Sequence, residues 1–168
     1  AAARWAAERP DGPAIVEGDR TWTWRELAAW AAAIARPVRA AATEAAADGV
    51  RLAAAEAVTV AVVPPMSTAG VAAIHGVAMA GVAAVLVPPR WTAAHQARLI
   101  NRARPALVLH AADGERAWRA PSVDVRSLAG GEVVPADPGG ASPAAVQAEL
   151  IVPTSGTTAE PRLARLPI

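Results

Sequence analysis

Short apolar runs recur along the chain, separated by stretches in which apolar and polar positions follow a helical period. Each run is short and rich in β-branched or other aliphatic residues, which favours a buried strand over a helix. The main runs lie at 58–63, 83–87, 106–110 and 148–152. A weaker run at 122–125 predicts a further short strand.

The stretches between these runs predict helices. Ser67 can cap a helix through Ala80 whose apolar stripe is Val71, Ile74 and Ala78. A similar stretch follows the second run and ends at a proline. Strand, helix and strand in succession are typical of right-handed crossover connections. The pattern therefore predicts an α/β fold, with a mainly parallel sheet and flanking helices.

Before the sheet, the pattern predicts a β-hairpin followed by a helix. β-prone runs within residues 14–22 flank a Gly-Asp pair, which signals a tight turn. Thr23 and Glu26 then form a capping box, and the helix that they open is expected to stop before Pro37.

The stretch after the last main run carries the most specific chemistry in the chain. Gly156 lets the backbone approach a ligand closely, and the neighbouring hydroxyls offer hydrogen-bond donors. Consecutive N–H groups in such a loop can form an anion-binding nest, and Arg162 supplies positive charge. These residue types suit polyphosphate oxygens, although the same composition also occurs in ordinary surface turns. The candidate ligands are Thr154, Ser155, Gly156, Thr157, Thr158 and Arg162.

This stretch does not fit a Walker loop, but it resembles the phosphate-binding signature T-S-G-[ST]-T-G-x-P-K-G of the adenylate-forming superfamily. That superfamily includes acyl-CoA synthetases, adenylation domains of peptide synthetases and luciferases. The match covers 154–158 and Pro161, whereas Ala159, Arg162 and Leu163 stand where the superfamily usually has Gly, Lys and Gly. Arg keeps the charge of Lys but replaces a compact ammonium with a planar fork, and Ala restricts the turn.

Two earlier stretches resemble the same superfamily. Residues 22–27 resemble its L-T-Y-x-E-L segment, with Trp24 at the aromatic position. Residues 81–92 resemble its G-A-x-x-V-P-L-[ND]-P-R-x-[ST] segment. The similarities occur in order along the chain, and they imply an N-terminal portion of an AMP-binding domain over residues 1–168, ending just after the phosphate loop.

The resemblance implies a ligase that activates a carboxylate with ATP as an acyl-adenylate and then passes the acyl group to a thiol such as CoA. The candidate ligands would contact the β and γ phosphates, with Arg162 in place of the lysine, and Mg²⁺ is implied as a cofactor. The superfamily's substrate sites and catalytic lysine lie beyond this stretch, so the resemblance assigns no catalytic residue here. A degenerate, non-catalytic relative acting as a structural or interaction domain remains the alternative.

Composition and charge narrow the possible functions. The 168 residues carry a formal net charge of +1 and no lysine, so the isoelectric point of 9.2 reflects a nearly flat titration curve. Nucleic acid binding is not expected, because the arginines are scattered singly among acidic residues. The absence of cysteine excludes disulfides and thiol catalysis. Charged or helix-breaking residues interrupt the apolar stretches and no leader is evident, so a cytoplasmic protein without a membrane segment is expected.

The histidines and tryptophans receive structural interpretations. His75, His95 and His110 lack metal-ligand spacing, so no metal site is expected. A hydrolase centred on Ser155 is disfavoured because no G-x-S-x-G motif surrounds it. The six tryptophans have no regular spacing and are interpreted as core and hairpin anchors.

Overall fold

A computed structural model describes residues 2–48, 58–111, 118–130, 149–154 and 162–167. These residues form helices and strands whose order matches the alternation in the sequence. The helices are α1 (Ala2–Glu8), α2 (Trp24–Ala47), α3 (Thr68–Ala80) and α4 (Ala93–Ala103), with a 3₁₀ helix at Val125–Leu128. The strands are β1 (Pro13–Glu17), β2 (Arg20–Thr23), β3 (Thr59–Val63), β4 (Ala83–Leu86), β5 (Leu107–His110), β6 (Ser122–Asp124), β7 (Glu149–Thr154) and β8 (Arg162–Pro167).

The strands form a six-stranded sheet and a separate hairpin. The order in the large sheet is β6-β5-β3-β4-β7-β8, and β1 pairs with β2 in an antiparallel hairpin. Neighbouring strands from β6 to β7 are parallel, whereas β7 and β8 are antiparallel. The predicted fold class, a mainly parallel sheet with flanking helices preceded by a β-hairpin, is therefore confirmed.

The central strands of the sheet are buried on both faces. Every residue of β3 is buried. Val60 and Val62 lie in the same apolar cluster as residues of α2 and α3, whereas Ala61 and Val63 lie in a cluster with Leu99 and Ile100 of α4. A strand covered on both faces reads as a continuous apolar run, which is why the sequence identified β3 so readily.

Helix α2 continues through Pro37 to Ala47, so the predicted stop before Pro37 is wrong. A proline inside a helix costs about 3 kcal/mol, mainly through a lost hydrogen bond and a clash with the preceding turn. Ile34 and Val38 on either side of it are fully buried, and burying one such side chain contributes roughly 1.5–3 kcal/mol. Arg39 donates a hydrogen bond from Nη2 to the Met79 carbonyl oxygen at 2.7 Å, which ties the second half of α2 to α3.

Helix α3 packs through small residues rather than through the predicted stripe. Val71 is 37% exposed, and Ile74 and Ala78 are only partly buried. A Cβ atom added to Gly76 would lie 2.7 Å from the Cβ of Ile34, so the glycine permits close approach of α2. The buried residues of α3 are Thr68, Ala69, Gly70, Ala72, Ala73, Gly76, Val77 and Ala80.

The first turn of α3 is capped from the hairpin. The Glu17 carboxylate accepts hydrogen bonds from the Thr68 backbone N–H at 3.4 Å and from the Thr68 hydroxyl at 2.8 Å. Ser67 occupies the N-cap position as predicted, but its side chain makes no capping hydrogen bond. A carboxylate at a helix N-terminus satisfies free N–H groups and complements the helix dipole. The Glu17 contact therefore joins the β1–β2 hairpin to the N-terminus of α3.

Tryptophans connect the hairpin and α2 to the rest of the core, as predicted. Trp30 is buried and donates from Nε1 to the Val125 carbonyl oxygen at 2.8 Å. The ring of Trp22 lies 5.2 Å from that of Trp30, measured between centroids. These contacts fix α2 against the 3₁₀ helix that follows β6.

Candidate phosphate-binding site

The candidate phosphate loop begins where β7 ends. Thr154, the last residue of β7, is exposed, whereas Ile151 within the strand is buried. β7 runs parallel to β4, so its carboxyl end lies at the same edge of the sheet as the carboxyl ends of β3 to β6. Ligands of open α/β sheets bind at this edge, because the loops that leave the strands converge there.

The structure brings the two ends of the candidate loop together. Thr154 and Arg162 are partners in the last pair of the β7–β8 ladder. Cα atoms of directly opposed residues in an antiparallel ladder lie about 4.5–5.5 Å apart. Arg162 is thus held beside the strand that starts the loop. Ser155, Gly156, Thr157 and Thr158 lie outside the described residues, and their role in phosphate binding stays a prediction.

Strand β8 was not predicted from the sequence. Its residues, Arg162–Pro167, mix apolar and charged positions without the strong alternation that identifies a strand. Leu163 packs against two core clusters, one containing Ile151 and the other containing Leu99. A single apolar residue is a weak signal for a strand in the sequence. Its packing against the core follows only from the pairing of β8 with β7.

An ion pair links the two strands of this hairpin. Arg165 contacts the Oε2 atom of Glu149 through Nε at 2.8 Å and through Nη2 at 2.5 Å. The side chains are 46% and 28% exposed, respectively. Sequence reasoning did not single out either residue, because two opposite charges sixteen positions apart carry no signal before the register is known.

A second polar group lies at the same sheet edge but away from the loop. His110 is buried at the end of β5 and is the ladder partner of Asp124 on β6. The Arg126 guanidinium beside Asp124 lowers the pKa of that carboxyl to about 2, so it stays ionised near neutrality. β3 and β4 lie between β5 and β7, and three strand spacings of about 4.8 Å separate His110 from the candidate loop.

The histidines are not brought together. His75 lies on α3, where burial lowers the pKa of its imidazole, and His95 lies on the opposite sheet face at the start of α4. Within the described ranges, no group of three or more His, Asp or Glu side chains could hold a metal ion. In the same part of the chain, no helix combines the length and the apolar character needed to cross a membrane.

Together, the sheet topology and the end of β7 define a class: open, mainly parallel α/β sheets whose ligands bind at the carboxyl edge of the strands. The family model described as AMP-binding enzyme matches residues 2–166, so the chain belongs to that family. This match confirms the superfamily that the sequence motifs indicated. No curated protein matches the chain.

Solved structures of adenylate-forming enzymes share the fold. The o-succinylbenzoate CoA synthetase of Bacillus subtilis is 21% identical over 99% of this chain and 33% of its own, with a TM-score of 0.70. The nonribosomal peptide synthetase FmoA3 is 20% identical over 99% of this chain and 16% of its own, with a TM-score of 0.74. The N-terminal subdomain of NpsA from Klebsiella oxytoca is 18% identical over 99% of this chain and 40% of its own, with a TM-score of 0.68. The chain therefore spans well under half the length of each.

Proposed function

We propose that this chain supplies the pyrophosphate-binding part of a ligase that activates a carboxylate with ATP as an acyl-adenylate. The observation that carries the proposal is the Thr154–Arg162 pair, which closes a T-S-G-T-T loop at the carboxyl edge of the sheet. Membership of the AMP-binding family supports it. So do the similar structures of o-succinylbenzoate CoA synthetase, one in complex with the acyl-adenylate intermediate and one with ATP and a magnesium ion.

In the proposed reaction, the loop stabilises the negative charge that develops on pyrophosphate. When a carboxylate oxygen attacks the α-phosphorus of ATP, negative charge accumulates on the departing pyrophosphate, and preorganised donors lower the barrier. The proposed donors are the hydroxyls and N–H groups of residues 154–158 together with the Arg162 guanidinium. Mg²⁺ usually binds through one or two carboxylates together with substrate phosphate oxygens and water, so it is proposed to enter with the nucleotide.

For the second step of the reaction, we propose an acid–thiol ligase that transfers the acyl group to CoA. It rests on the name of the similar CoA synthetase, while peptide synthetases of the same fold leave another thiol acceptor open. We assign no catalytic residue to this chain and regard residues 1–168 as the N-terminal portion of an AMP-binding domain. ATP and a carboxylic acid are the proposed partners of the full-length enzyme.

The test is kinetic and uses the full-length parent enzyme. Arg162→Ala should lower the adenylation rate by roughly 10²–10³-fold, as is typical when one charge-stabilising donor is lost. Arg162→Lys should be milder, because the charge stays while the bidentate geometry is lost. Glu160→Ala is the matched control and should change the rate little. Adenylation by Arg162→Ala at the parent's rate would show that the cation is not on the pyrophosphate.

A degenerate relative without turnover is the second candidate. Ala159 stands where the superfamily usually has glycine, and it favours this candidate because alanine restricts the backbone of the loop. Leu163, at the other glycine position, lies in β8 and anchors that strand to the core. Such a protein would keep the fold but would not need to bind pyrophosphate. Calorimetric titration of the chain with magnesium pyrophosphate separates the candidates, since binding supports the ligase and its absence supports the degenerate relative.

A further inference from the structure

The hairpin that closes the proposed phosphate loop has an outer strand with one neighbour. Among the described strands, β8 pairs with β7 alone, at the edge of the six-stranded sheet. An edge strand can slide along its neighbour unless side chains specify the register. Because Arg162 is the first residue of β8, any slide would displace the proposed phosphate ligand.

The consequences of a slide depend on its length. A shift by one residue turns every side chain of β8 to the other face, which would remove Leu163 from its core clusters. A shift by two residues keeps the faces and moves Arg162 along the ladder by roughly 7 Å, at about 3.4 Å per residue. That displacement takes Arg162 away from Thr154, so only the observed register places the two residues opposite each other.

The Glu149–Arg165 ion pair discriminates between these registers. In the observed ladder Arg165 opposes Ile151 and Glu149 opposes Pro167, so the pair runs diagonally across the strands. If Arg165 slid to oppose Pro153, it would lie four residues along from Glu149, or roughly 13 Å, and the contact would be lost.

A slide in the opposite direction meets a different obstacle. It would leave the two charges within reach of each other, but it would carry Leu163 roughly 7 Å along β7, away from the position at which it packs against both core clusters. The ion pair and the packing of Leu163 thus oppose slides in the two directions.

We propose that Glu149 and Arg165 are positioning residues that fix the β7–β8 register and thereby hold Arg162 opposite Thr154 for pyrophosphate binding. This role rests on the proposed function. The two residues act through the hairpin and need not touch the nucleotide. A chain that lacks the pair would populate slipped registers, and its apparent affinity would fall with the fraction of chains in the binding-competent register.

Charge reversal tests the proposal, because it separates register from net charge. Magnesium pyrophosphate is titrated into the chain by calorimetry for Glu149→Arg, Arg165→Glu and the double variant. Each single variant sets like charges on the diagonal and should weaken binding about 3- to 10-fold, while the double variant restores the pair and should bind within about twofold of the unaltered chain. Glu8→Arg, which breaks the exposed Arg4–Glu8 pair on α1, is the matched control and should bind unchanged.

An effect of net charge alone has a different signature. Added positive charge would strengthen pyrophosphate binding in Glu149→Arg, and added negative charge would weaken it in Arg165→Glu. That opposite-sign result, or a double variant that stays weak, overturns the positioning role and leaves the proposed function intact. Cross-strand nuclear Overhauser effects between Ile151 and Arg165 report the register directly and should weaken in the single variants only. If the unaltered chain does not bind pyrophosphate, the proposed function fails and the positioning role fails with it.

Discussion

Individual small residues decide how closely the two helices on one face of the sheet approach. Gly76 of α3 lies where an added Cβ would meet Ile34 at 2.7 Å and the Ala31 carbonyl oxygen at 3.0 Å. Gly76→Ala should therefore lower the free energy of unfolding by about 1–3 kcal/mol through overpacking, despite the better helix propensity of alanine. Denaturant unfolding measures the change. Val71→Ala, on the exposed side of the same helix, is the control and should stay within about 0.5 kcal/mol.

Another residue-scale feature is the left-handed backbone of Arg104. It follows α4 with φ 44° and ψ 54°, a region that costs a non-glycine residue roughly 1–2 kcal/mol. Arg104→Gly should raise the free energy of unfolding by about 0.5–1 kcal/mol, since relief of the backbone strain outweighs the greater entropy of the unfolded chain. Arg98→Gly, inside α4, should instead destabilise by about 1 kcal/mol. Destabilisation by both changes would contradict this interpretation of the Arg104 backbone.

At the scale of elements, the start of α2 is the clearest case in which sequence and structure coincide. Thr23 accepts a hydrogen bond from the Glu26 N–H at 3.2 Å, and Glu26 accepts one from the Thr23 N–H at 2.8 Å, which completes the predicted capping box. Thr23→Ala should cost about 1 kcal/mol in thermal or denaturant unfolding. Ser67→Ala is the matched control at the N-cap of α3, and it should cost little because Glu17 supplies that cap. Equal losses in both variants would contradict this division of roles.

Elements whose bounds depend on distant partners were predicted less well. The capping box is local, so four neighbouring residues suffice to indicate it. The continuation of α2 through Pro37 depends on the burial of Ile34 and Val38, which the surrounding sequence does not report. Likewise, the helical period of α3 suggested that its larger residues face the core. Close packing against α2 instead selects glycine and alanine, because interior packing is set by shape as well as by hydrophobicity.

At the scale of the molecule, the sequence predicted the strands of the parallel sheet to within about two residues at either end. The sequence could not predict the order of the strands. β5 lies on one side of β3, whereas β4 and then β7 lie on the other, and other strand orders would satisfy the same apolar pattern. The phosphate-binding role of the candidate ligands stays a prediction. The motif indicated Thr154 and Arg162, but only the β7–β8 ladder sets them side by side and brings Glu149 into contact with Arg165.

The last prediction concerns the chain as a whole. It covers 33% of a CoA synthetase of the same fold, and acyl-adenylate formation requires adenine, triphosphate and carboxylate to be held in one geometry. Such positioning accounts for roughly 7–11 kcal/mol of barrier reduction in well-oriented systems. The proposed loop would contact only the phosphates of ATP. The isolated chain should therefore give no carboxylate-dependent exchange between pyrophosphate and ATP. A radiolabelled exchange assay with a panel of carboxylic acids, run beside a full-length synthetase as the positive control, measures this. Exchange above the rate without acid would show that these 168 residues already assemble an adenylation site.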